Sequence, residues 1–86
     1  MASVEQVRNG ISLATEKAQE SIGALQQAAT ALEQAQNALH QVTQGSSQAD
    51  AEQAANLLSQ AVSSIGETQN QVQSAISTAE GYANRL

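Results

Sequence analysis

On both sides of one short break, Gly45-Ser46-Ser47, apolar side chains return every three or four residues. Before it they fall at Val4, Val7, Ile11, Ala14, Ala18, Ile22, Leu25, Ala28 or Ala29, Leu32, Ala35, Leu39 and Val42. After it they fall at Ala51, Ala54, Leu58, Ala61, Ile65, Thr68, Val72, Ala75, Ala79, Tyr82 and Leu86. Each ladder takes ten steps over 35 residues (Val4 to Leu39, Ala51 to Leu86), a mean of 3.5. That period belongs to supercoiled helices and not to strands, whose period is two. Two successive steps of four, Ala14 to Ala18 to Ile22, predict a stutter that relaxes the supercoil there.

Nothing interrupts the helices except that break. The chain has no Pro, and Ala, Gln, Glu and Leu all favour helix. Ser3 with Gln6 three residues later reads as a capping box, and Glu5 adds negative charge to the first turn. Gly45 suits the left-handed position after a helix; Ser46 or Ser47 suits the next N-cap, with Asp50 and Glu52 in the turn that follows. The spacing thus predicts one domain, residues 1–86, with a first helix at about 3–44, a turn at 45–47 and a second helix at about 47–85. Each helix would be about 60 Å long.

So short a connection makes the helices antiparallel. The fold class is all-α: a coiled-coil-like two-helix hairpin. Folding about position 46 pairs residues whose numbers total about 92. Leu39 then lies near Ala54, Leu32 near Ala61 and Leu58, Leu25 near Ile65 and Thr68, and Ile11 near Ala79 and Tyr82. Gly10 falls level with Tyr82 and leaves room for its ring. The expected seam is Val7, Ile11, Ile22, Leu25, Leu32, Leu39, Leu58, Ile65, Val72 and Tyr82. Tyr82 has a second reading, as part of a recognition tail running to Leu86. A repeated triplet, Ser21-Ile22-Gly23 and Ser64-Ile65-Gly66, reads either as a close backbone approach or as chance in an Ala/Gln/Ser-rich chain.

Composition narrows the function. Seventeen Ala leave 7 Leu, 5 Val and 4 Ile as the bulky aliphatics. Chains of this size commonly need a staple, a metal or a partner, and with no Cys there is no disulfide. Leu13, Leu57, Val62 and Ile76 lie off the ladders and widen the apolar face. They read either as a flank that docks another hairpin or as a stripe wrapping the same seam. The docking reading predicts a four-helix bundle, formed as a homo-oligomer or with a related helical protein.

Other classes fit poorly. Arg8, Lys17 and Arg85 are the only basic residues beside eight carboxylates, for a net charge of -5. That gives no footprint for nucleic acid and little for an anionic membrane. Tyr82 is the one aromatic, so base stacking has no platform. His40, with Asp50 and Glu52 level with it, could form at most a weak surface metal site and reads better as a residue capping its helix end. None of the carboxylates forms the Glu-x-x-His pattern of di-iron bundles. Glu16 and Glu20, flanking Lys17, read as a solubilising face. No cofactor and no enzymatic activity are expected. The opening Met1-Ala2-Ser3-Val4-Glu5 lacks the basic start and apolar run of a signal peptide. It suits a chain that stays in the cytoplasm or is secreted without a cleaved leader.

In length, in its two helices and in the Gly at mid-chain, the sequence resembles the WXG100 (ESAT-6-like) proteins. Thr43-Gln44-Gly45 stands where that family has Trp-x-Gly, keeping the Gly without the Trp. Tyr82 to Leu86 stands where it has Tyr-x-x-x-Asp/Glu, with Leu86 in the acidic place. The resemblance implies a hairpin that pairs into a four-helix bundle and is a substrate of type VII secretion or the partner of one. The Ala79-Glu80-Gly81-Tyr82-Ala83 ending is also similar to small uncharacterised helical proteins of actinobacteria. Two rivals are a cytoplasmic adaptor or chaperone-like partner of a larger protein, and an amphipathic helix pair that associates with lipid.

Overall fold

The computed structural model describes residues 2–44 and 49–86. Two helices, α1 (Val4–Thr43) and α2 (Ala49–Arg85), pack along their length as an all-α helical hairpin. The body is a rod of 64 × 18 × 14 Å. The expected turn residues Gly45, Ser46 and Ser47 lie outside the described residues.

The start of α1 is built as its residues dictate. The Ser3 backbone N–H donates to Gln6 Oε1 at 2.9 Å, and the Gln6 N–H donates to Ser3 Oγ at 3.1 Å. This reciprocal pair satisfies amides that the first helical turn leaves open. Farther along, Lys17 and Glu20 form an exposed pair at 3.4 Å, a geometry worth a few tenths of a kcal/mol. At the other end of α1, the Thr43 hydroxyl donates back to the Leu39 carbonyl at 2.7 Å.

The inward face differs from the apolar ladders at alternate rungs. On α1 the positions shielded by α2 are Val7, Ile11, Thr15, Ala18, Ile22, Leu25, Ala29, Leu32, Gln36, Leu39 and Thr43. Thr15, Gln36 and Thr43 take places the ladder assigns to Ala14, Ala35 and Val42. Val4 and Val42 stay exposed. The two successive steps of four come at Val7–Ile11–Thr15, one turn or more before the expected stutter. On α2 the continuous inward row is Ala51, Ala55, Leu58, Val62, Ile65, Gln69, Val72, Ile76, Ala79 and Ala83.

Val62 and Ile76 therefore face α1, not an outer flank. Ile76 is the most deeply buried side chain, at 2% exposure. The cause is area: turning α2 by one residue at alternate rungs covers Val62 and Ile76 in place of Ala61 and Ala75, and each larger side chain removes more apolar surface from water. The expected seam residues Val7, Ile11, Ile22, Leu25, Leu32, Leu39, Leu58, Ile65 and Val72 point inward, whereas Tyr82 is 47% exposed.

Gln69 Nε2 donates to Gln26 Oε1 at 3.3 Å, and the matching inward rows put level residues at numbers totalling about 94, close to the expected 92. Leu32 is level with Val62, Ala18 with Ile76 and Ile22 with Val72. A Cβ added at Gly10 would meet nothing within 4 Å; the Tyr82 ring does not pack there. The same open space surrounds Gly23 and Gly66, so the repeated triplet marks no close backbone approach.

Candidate functional site

The seam alone leaves the chain poorly covered. Among the described residues only Ala29, Ala55 and Ile76 are buried. The accessible surface is 6244 Å², against about 4,800 Å² for a compact monomer of this mass. The radius of gyration is 19.4 Å, against about 12 Å for a compact domain of this length. An open rod of this kind has spare surface, and its two lateral sides are chemically opposite.

In an antiparallel pair, the residue just before each alternate inward rung lies on one side of the rod on both helices. On α1 these are Ala14, Ser21, Ala28, Ala35 and Val42; on α2 they are Ala54, Ala61, Thr68, Ala75 and Tyr82. Just outside them on α1 come Ala24, Ala31 and Ala38, all exposed. A shallow groove confirms the placement: Ala14, Thr15 and Ala18 of α1 share it with Ala75, Ile76 and Ala79 of α2. This alanine side holds nine of the 17 Ala (Ala14, Ala24, Ala28, Ala31, Ala35, Ala38, Ala54, Ala61 and Ala75).

The opposite side carries Ser12, Gln19, Gln26, Glu33 and His40 of α1 with Glu52, Ser59, Gln73 and Glu80 of α2. Its groove is lined by Ser12, Thr15, Glu16, Gln19, Ile76 and Glu80. The Gln26–Gln69 hydrogen bond closes over this side. Glu16, Glu33, Glu52 and Glu80 all stand here, whereas the alanine side has Asp50 as its one carboxylate, at the start of α2. A solvated rod has no physical reason to sort alanine from glutamate in this way. A rod that covers one side has.

Of the residues expected to dock a partner, Leu57 belongs to the alanine side and is 57% exposed. Leu13, equally exposed, points away from the seam on the back of α1. Val62 and Ile76 belong to the seam. The exposed alanines were missed as a site because each alone buries little. Their signal is positional, visible only once the inward rungs are known.

His40 shares a shallow groove with Gln41, Thr43, Gln44 and Glu52. No group of three His, Cys, Asp or Glu that could hold a metal occurs among the described residues. No helix there is long and apolar enough to cross a membrane. No family model, curated protein or solved structure matches the chain.

Proposed function

We propose that this chain works by association and not by catalysis: its alanine side receives a second helical hairpin, of the same or a related chain, to make a four-helix bundle. The observation that carries this is the sorting of exposed alanine to one side of the rod and of carboxylate to the other. Alanine contributes little area per residue, but it lets helix axes approach closely, so that backbone and Cβ atoms make the contact. The layout shared with the WXG100 proteins supports the finer reading that the assembled bundle is a type VII secretion substrate or includes one. Comparing culture medium with cell lysate tests that part separately.

Association is tested by light scattering on paired variants. Ala28→Glu and Ala35→Glu put charge on the alanine side; Gln26→Glu and Ser59→Glu put it on the opposite side. The first pair should reduce the assembly to monomer while circular dichroism still shows helix. The second pair should leave the assembly unchanged. A wild-type chain that stays monomeric at high micromolar concentration overturns the reading.

A further inference from the structure

We infer that Asn9-Gly10, in the second turn of α1, is a site of self-modification: ring closure between the two residues deamidates Asn9 and, through an isoaspartyl link, unlatches the opening turns of α1. The site stands apart from the alanine side and from the association reading.

The chemistry needs an asparagine whose following amide can reach its side chain. The chain has Asn9, Asn37, Asn56, Asn70 and Asn84, followed by Gly10, Ala38, Leu57, Gln71 and Arg85. Only at the first pair does the attacking residue carry no side chain. A Cβ placed at Gly10 meets nothing within 4 Å, so no neighbour crowds the approach, and glycine gives the backbone there its widest freedom. The Gly10 amide nitrogen, its proton lost to hydroxide, attacks Asn9 Cγ. The N–Cγ bond forms, the Cγ–Nδ2 bond breaks, and Nδ2 leaves as ammonia with a proton taken from water. A second water opens the five-membered imide. Addition at Cγ gives an aspartate at position 9; addition at the main-chain carbonyl routes the chain through Cγ as isoaspartate. Nothing is oxidised or reduced, and water is the one co-reactant.

The helix holds this reaction back. In α1 the Gly10 N–H donates to the Gln6 carbonyl, as helix geometry dictates. A helical ψ of about −42° at Asn9 also keeps the Gly10 nitrogen out of the plane in which the ring closes. Reaction therefore waits until the first turns open. They are weakly held: of residues 2–10 only Val7 is half-buried and the rest are exposed. What secures them is the Ser3–Gln6 capping box, at 2.9 and 3.1 Å. End turns with so little burial open locally, without the rest of the protein.

The product does not close again. Isoaspartate adds a methylene to the backbone, and the hydrogen-bonded rings closed by the amides of Gly10, Ile11 and Ser12 all span residue 9. Each ring gains an atom, so the regular helix cannot run through it. The turns before Asn9 lose their continuation, and Val7 comes away from the seam.

The experiment follows deamidation of the full-length chain at neutral pH by peptide mapping and mass spectrometry. Asn9 should react faster than Asn37, Asn56, Asn70 and Asn84, and Gly10→Ala should all but stop it. Ser3→Ala should speed it about fivefold, the effect of a lost cap on local opening. Ile76→Val lowers stability by a similar amount at a place remote from Asn9, and should leave the rate unchanged. Hydrogen exchange on the isolated isoaspartyl form should show protection lost at Gly10, Ile11 and Ser12 and kept from Leu25 to Leu32. An Asn9 that reacts no faster than Asn37 overturns the site. A rate raised as much by Ile76→Val as by Ser3→Ala overturns the gating by the cap. Protection retained at Gly10 to Ser12 overturns the unlatching.

Discussion

Gln69 reaches from the seam of α2 to Gln26 on α1, its amide nitrogen 3.3 Å from the Gln26 oxygen. This contact lies near the middle of the rod and ties the two helices at one height. Its worth follows from its exposure: a neutral hydrogen bond open to water contributes about 0.5–1 kcal/mol. A double-mutant cycle of Gln26→Ala and Gln69→Ala, read by urea unfolding, should return a coupling of that size. Gln69→Leu should raise the melting temperature, because an apolar side chain then fills a half-buried rung.

Ile76 is where the hairpin is most vulnerable. Ile76→Ala removes the best-covered aliphatic side chain and should cost about 2–5 kcal/mol. Val62→Glu should abolish the folded hairpin, because it places an unpaired carboxylate between the helices. Leu13→Ala, on the exposed back of α1, should change stability by less than about 0.5 kcal/mol. All three are to be compared by chemical denaturation at one protein concentration, since assembly adds to apparent stability.

Gly23 and Gly66 sit inside helices with nothing within 4 Å of an added Cβ. Gly23→Ala and Gly66→Ala should each stabilise the protein by about 1 kcal/mol. They are more than 7 Å apart along the rod, since Gly66 is level with about residue 28, so their effects should add. Differential scanning calorimetry of the single and double variants checks both statements.

The capping box at Ser3 and Gln6 is fully formed. Ser3→Ala should cost about 1 kcal/mol, and Ser3→Asp should recover most of it. Hydrogen exchange should show the loss first in the opening turns of α1.

The helices and the cap are legible in the sequence because they depend on neighbours a few residues apart. The rotation of each helix is not. Three of every seven positions on each strand of the hairpin are small or apolar, while a single partner helix covers two. Period alone cannot say which two. Packing decides it through Val62 and Ile76, which must be covered and which lie on rungs that the regular ladder skips. The skipped choice matters for function. Ala14, Ala35 and Ala75, which a uniform ladder places in the seam, are left exposed as part of the candidate site.

A rod 64 Å long and two helices thick has no centre. Each rung touches only the rungs above and below it, as in a repeat array, and the three buried side chains are spread over separate levels. Such a molecule can come apart like a zip fastener, notch by notch from either tip, while the remainder stays closed. Amide protection measured along α1 and α2 should therefore fall off gradually toward the tips, and a protease would nibble the hairpin from its ends before it could cut the middle.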